Sequence, residues 1–162
     1  MKASPLIALV AALALAACSD DADQVSNSPT AGVSDNLPPA DTAAYFRQVV
    51  GDRVLFDTDR HDLSVTAQST LSGQAQWMQD NPGTSATIEG HADERGTREY
   101  NLALGARRAN SVRAFLVAQG VAADRLRTVS FGKERPIALG SDPNSWAQNR
   151  RGMTVVQGAP DS

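Results

Sequence analysis

Past residue 41 the hydrophobic positions recur with two alternating periods, and the alternation predicts the fold. Thr42 to Gly51, "TAAYFRQVVG", reads as a short helix, and Arg53 to Phe56, "RVLF", as a short strand. "DTDRHDLS" is rich in turn formers and predicts a loop. From Ser64 to Asn81, Ala67, Leu71, Ala75 and Met78 recur at helical spacing and form one apolar stripe, which "NPG" then stops. "SATIEG" alternates, with Ala86 and Ile88 on one face and Thr87 and Glu89 on the other, and predicts a half-buried strand. A long helix opens at Thr97 or Arg98 and runs to Gln119, with Gly120 as its stop. Its core stripe is expected to be Leu102, Ala106, Ala109, Val112 or Arg113, and Leu116. "RTVSFG" (Arg127 to Gly132) is a third strand, "SWAQNRR" holds a helical turn, and "GMTVV" is a last strand. The order β-α-β-α-β-β predicts an α+β, two-layer sandwich: a small mixed sheet with helices on one face. The helices at 64–81 and 97–119 supply the crossovers that parallel neighbours need.

The first forty residues follow another pattern. Lys2 precedes the apolar run "PLIALVAALALAA", too short for a comfortable membrane span and typical of a secretory signal. It ends in "LAAC", which resembles the lipobox of bacterial lipoproteins and marks Cys18 as the lipidation site. Cys18 is the only cysteine, so no disulfide forms within a chain. A single acyl chain holds a protein only reversibly, whereas two or three keep it at a membrane. Ser19, not Asp, follows the cysteine, and by the lipoprotein sorting pattern this is an outer-membrane address. Residues 19–41 carry Ser, Asp, Pro and Gly with few large apolar groups and predict a flexible linker. Such a segment averages about 26 Å end to end and stretches to roughly 70 Å. The expected division is therefore 1–17 signal peptide, 18–41 lipidated N-terminus and linker, and 42–158 folded domain. Loss of residues 1–17 removes Lys2 and takes the net charge from −3 to −4, against a nucleic-acid partner. Aromatics at 5% are too sparse for base-stacking platforms.

Candidate chemistry concentrates in "TIEGHADERGTREYNLALGARRANSVRAFL", residues 87–116. His91 and Asp93 fall on one side of a strand end, as in a triad, yet no serine sits on a Gly-x-Ser-x-Gly elbow. Asp93 and Glu94 are adjacent, so on a strand they point to opposite faces, unlike a hydrolase's paired carboxylates. His91, Asp93 and Glu94 are metal-ligand types, but "HADE" matches no metal motif, and a second histidine would have to come from His61. Asn101, Gly105 and Arg108 share a face of the long helix, offset from its apolar stripe. With Asp93 at the preceding strand end, one edge of the sandwich carries a fixed anion and a fixed cation. Such a pair suits a zwitterion: the carboxylate takes an ammonium, and the guanidinium grips a carboxylate through two hydrogen bonds. The spacing is equally consistent with Asp93 and Arg108 pairing with each other at the surface.

"IEGHADERGTREYNLALGARRANSVRAFLVAQGV", then "VSFGKERP" and "NRR", resembles the OmpA-like peptidoglycan-binding domain family over residues 53–156. The resemblance implies a noncatalytic protein without cofactor or metal. It is expected to bind the meso-diaminopimelate stem peptide of peptidoglycan and so tether the outer membrane to the wall from its periplasmic face. By position, Asp93 matches the aspartate that receives the diaminopimelate zwitterion, Arg108 the arginine that binds its carboxylate, and Asn101 and Leu104 the residues lining the pocket. Phe56 and Asp57 lie where the first strand ends and the ligand-facing loop begins, and Glu94 is included in the expected binding set. Glu94 and Arg95 match the surface that meets a TolB-like periplasmic partner of the Tol envelope and cell-division system. "LFDTD" lacks the aromatics frequent at Leu55 and Thr58, and Gly152 replaces a larger residue, which predicts a weak start to the last strand. The alternative function is a wall hydrolase of the envelope.

Overall fold

The computed structural model describes residues 37–161. The expected signal peptide, the expected lipidation site Cys18 and the expected linker up to residue 36 lie outside the described residues. Each α-helix begins where a side chain can accept the free N–H groups of its first turn. Thr42 caps α1 (Ala43–Tyr45) by accepting from the Tyr45 amide at 3.1 Å, and Ser64 caps α2 (Val65–Asp80) by accepting from Ala67 at 3.2 Å. Thr97 caps α3 (Arg98–Ala118) through the Tyr100 amide at 3.2 Å. Asp142 caps α4 (Pro143–Asn149), with proline in the first turn. The expected helix at 42–51 is present, but Phe46–Gly51 widens into a π-helical turn. Gly120 adopts φ +99°, the left-handed conformation that ends a helix at low cost.

Four strands, β1 (Arg53–Leu55), β2 (Ser85–His91), β3 (Leu126–Gly132) and β4 (Arg151–Gln157), form one mixed sheet in the order β1-β4-β2-β3. β2 and β3 are parallel neighbours joined through α3, as expected. β1 and β2 are not neighbours: β4 inserts between them, antiparallel to both. The α2 crossover therefore spans a strand that arrives last in the chain, and the central register depends on the C-terminus. The β2–β3 register shifts between Gly90 and His91, so the strand end carries an irregularity next to the loop that follows.

The core lies between the helices and one face of the sheet. Leu71, Ala75 and Met78 of α2 and Ala109, Val112 and Leu116 of α3 meet Val54, Ala86, Ile88 and Leu126, all buried. The apolar stripe of α2 is as expected. That of α3 is corrected in its first half: Leu102 is 48% exposed, while Asn101, Leu104, Gly105 and Arg108 are buried. Asn101, Gly105 and Arg108 are thus not offset from the buried face; they are its N-terminal part. The reason is a glycine contact. A Cβ at Gly90 would lie 1.8 Å from the Gly105 carbonyl oxygen, and a Cβ at Gly105 would lie 2.7 Å from that of Gly90. Backbone meets backbone there, and this contact sets which side of α3 faces inward. Gly152 acts similarly, since a Cβ would come within 3.1 Å of Val112 and 3.3 Å of Phe56. Rather than weakening β4, it pairs in register with both Val54 and Gly90 and makes room for the core.

Order extends beyond both expected limits of the domain. The Trp77 indole donates to the Ala40 carbonyl at 2.7 Å while its ring packs 4.9 Å from Phe46, and the Ala43 amide donates to Pro160 at 2.9 Å. Replacing Gly90 with alanine forces side chain into backbone, so Gly90→Ala is expected to lose about 3 kcal/mol or more of stability in urea unfolding.

Candidate functional site

β2 ends at His91, and the chain must cross from the sheet to the start of α3 within six residues. Gly96 makes the turn at φ +90°. The Asn101 side-chain amide reaches back to the Arg95 carbonyl at 2.8 Å. Lys133 donates to the Glu94 and Gly96 carbonyls at 3.1 and 2.7 Å, so it braces this loop. The Trp146 indole donates to the Glu94 carboxylate at 2.9 Å, and the Arg95 guanidinium lies 4.3 Å over the Trp146 ring. α4 carries Trp146 to the 94–96 loop.

Behind the loop lies a cavity of about 310 Å³ lined by residues that include Asp93, Arg95, Asn101, Leu104, Arg108 and Arg150. Asp93 is nearly buried and ionised. Burial alone would raise its pKa, but hydrogen bonds from Arg95 and Arg150 outweigh it and hold the carboxyl below its ordinary value. Arg108 is buried completely. Its Nε donates to Arg60 at 2.8 Å, one terminal nitrogen to His91 at 2.8 Å and the other to Asp57 at 3.0 Å, all through backbone carbonyls. The Phe56 ring lies 5.2 Å from its guanidinium carbon. Arg108 has no carboxylate within ion-pair distance among the described residues, and Asp93 pairs with Arg95 at 2.6 Å and Arg150 at 3.2 Å instead. Direct pairing of Asp93 with Arg108 is thereby excluded. Burial and the neighbouring Arg150 lower the Arg108 pKa to about 10, so it stays charged at neutral pH. A planar guanidinium has five N–H donors, and three of them are used here.

The profile of the OmpA family matches residues 55–150, more than half of the chain. The chain belongs to the OmpA family. Peptidoglycan-associated lipoproteins are among its relatives. That of Rhizobium meliloti is 49% identical over 95% of this chain and 88% of its own length, and that of Brucella abortus 48% over 96% and 94%. The crystal structure of the peptidoglycan-associated lipoprotein from Burkholderia pseudomallei superposes with TM-score 0.66 at 43% identity, covering 68% of this chain and 96% of that one. The C-terminal domain of Helicobacter pylori MotB shares the fold, with TM-score 0.61 at 20% identity over 65% of this chain and 84% of that one.

In this OmpA-family domain the cavity gathers four residues singled out as binding candidates, Asp93, Asn101, Leu104 and Arg108, together with Arg95. Phe56, Asp57 and Glu94 do not line it. Phe56 is buried beneath the Arg108 guanidinium, and Asp57 contributes its carbonyl to Arg108 and borders a neighbouring depression with Arg150. Glu94 is exposed and engaged by Trp146. Six lining residues were not among the candidates: Thr58, Asp59, Ala92, Gly96, Tyr100 and Arg150. Tyr100 donates its hydroxyl to Asp59 across the cavity, and Arg150 also donates to the Phe56 carbonyl at 3.0 Å. "NRR" was the only available signal for Arg150, and nothing in its spacing tied it to a site some 57 residues earlier in the chain.

The His91 carbonyl accepts from Arg108, but His91 does not line the cavity. The ring is buried, 5.5 Å from Phe131, with neither nitrogen hydrogen-bonded among the described residues. Glu89 comes within 3.4 Å without hydrogen-bond geometry. Burial first, then the charges of Arg151 and Arg135, lower the imidazole pKa to about 4. The folded protein therefore resists a proton that the unfolded chain accepts near pH 6.5. Stability contributed by neutral His91 is full above pH 6.5 and falls as pH drops toward 4. Thermal melts of the wild-type chain and His91→Phe between pH 7 and 4 are expected to show a shallower acid decline in the variant.

Proposed function

We propose that this chain is an outer-membrane lipoprotein, anchored through lipid on Cys18 and facing the periplasm, that binds the meso-diaminopimelate stem peptide of peptidoglycan without covalent chemistry. It would thereby tether the outer membrane to the wall within a Tol–Pal envelope and cell-division system. The names of its relatives, peptidoglycan-associated lipoproteins, support the class of ligand. The observation that carries the reading is a buried guanidinium without a carboxylate partner beside an ionised carboxylate in the same cavity. Burying an unpaired charge is costly unless something compensates it. Three carbonyls meet part of that cost, and a ligand carboxylate would meet more.

The side-chain end of diaminopimelate carries an ammonium and a carboxylate on one carbon, opposite in sign to Asp93 and Arg108. Arg108 exposes no surface, and two of its three carbonyl partners belong to the 57–60 loop. Ligand entry therefore involves a shift of that loop, whose ties across the cavity are Tyr100 to Asp59 and a long contact from Arg95 to Thr58 at 3.4 Å. The cluster recognises rather than reacts: its carboxylate is held ionised and its histidine side chain points out of the cavity. Charge-assisted hydrogen bonds of roughly 1.5–3 kcal/mol each, set against association costs, give modest affinity. A tethered domain tolerates modest affinity because its effective concentration near the wall is high. Glu94 and Arg95 are the proposed contacts for a TolB-like protein. Because Arg95 also lines the cavity, the two partners would exclude each other.

Titration calorimetry of the mature chain with diaminopimelate- and lysine-containing stem peptides tests this directly. Diaminopimelate is expected to bind about tenfold or more tightly, the equivalent of losing one carboxylate–guanidinium contact. Equal affinities would refute the pocket assignment. Arg108→Lys keeps the charge but loses the fork, and it is expected to shrink the preference several-fold while the protein remains folded by circular dichroism.

A further inference from the structure

A carboxylate has about four lone-pair positions, and on Asp93 all of them are taken. One oxygen accepts from the Arg95 amide at 3.1 Å and from Arg95 Nε at 3.2 Å; the other accepts from an Arg95 terminal nitrogen at 2.6 Å and from Arg150 at 3.2 Å. An incoming ammonium finds no free acceptor there, so one donor must leave. The backbone amide is fixed by the loop. Arg150 is held a second time at the Phe56 carbonyl, and its side chain is only 13% exposed. The Arg95 side chain is 42% exposed and its guanidinium already lies 4.3 Å over the Trp146 ring, so it is the donor most free to leave.

We propose that Arg95 is a built-in competitor for the ammonium position on Asp93, so that ligand binds by displacing this side chain. The inference rests on the reading of Asp93 as the ammonium acceptor. It assigns separate tasks to two arginines. Arg108 distinguishes ligands by their carboxylate, whereas Arg95 imposes one exchange cost on every ammonium that enters. A simple amine trades one cation for another on Asp93 and gains little. A ligand that also brings a carboxylate for Arg108 gains from the exchange. Departure of Arg95 also breaks its contact to Thr58, one of the two ties between the 57–60 loop and the far side of the cavity, and leaves Tyr100 to Asp59 as the other. Glu94, Trp146 and Lys133 fix the loop backbone, so the exchange involves side-chain rotation rather than unfolding.

The test compares the full mature wild-type chain with Arg95→Gln, a substitution at a part-exposed side chain, by calorimetry with the diaminopimelate and lysine peptides. Removal of the competitor is expected to tighten both ligands, by the same factor of about five or more, leaving their ratio unchanged. In parallel, the Arg95 Nε–H resonance of the wild type is followed by NMR during titration with the diaminopimelate peptide. It is expected to shift and exchange faster with solvent, while that of Arg150 stays protected. Unchanged or weaker binding by Arg95→Gln overturns the proposal, as does an Arg95 signal that stays put at saturation. Should that happen while the diaminopimelate preference persists and Arg108→Lys still erodes it, the functional reading stands and only the competitor falls. If neither protein binds either peptide, both fall together.

Discussion

The structure hangs on one buried cation. The Arg108 guanidinium reaches from α3 to the carbonyls of Asp57 and Arg60 in the loop after β1 and of His91 at the end of β2. It joins three segments that are far apart in the chain, at the end of the sheet that carries the cavity. Because its partners are neutral, the charge is solvated without being cancelled. The same side chain thus provides both local rigidity and an electrostatic demand that only an anion can answer.

Arg108 reaches this position because α3 lies against the sheet at Gly90 and Gly105, where two backbones touch. With any side chain at either position the helix would stand away, and the guanidinium would not reach the strand end. Core and cavity are therefore successive turns of one helix face: Ala109, Val112 and Leu116 pack, while Asn101, Leu104 and Arg108 line the site. The electrostatics follow this layout. Three guanidiniums and the carboxylates of Asp93 and Asp59 crowd one small volume, and their mutual arrangement, not any single group, fixes the charge pattern.

Much of this was legible in the residues, and the exceptions have physical causes. The apolar stripe of α2, the caps and the β2 alternation are local signals, and they placed those elements within a residue or so. The inward face of α3 was misread because polar Asn101 and Arg108 occupy buried positions while Leu102 faces solvent; periodicity counts apolar residues and cannot see a buried guanidinium. The insertion of β4 between β1 and β2 is a long-range pairing that strand order along the chain does not encode. Motif resemblance pointed to Asp93 and Arg108, which the cavity brings together. Arg150 and Trp146 reach the site through α4, whose docking depends on the Asp142 cap and on the contacts of Trp146 and Arg150 themselves.

The two ends of the sheet have different neighbours. The chain enters beside Trp77, where Ala40 and Pro160 are fastened, near the pairing of Ser85 with Gln157; the cavity lies at the other extremity of β2, past His91. A pull between the N-terminal segment and an occupant of the cavity is therefore directed lengthwise along β2 and β4. Sheet hydrogen bonds run across the strands, so such a force loads them side by side in shear instead of peeling them one at a time.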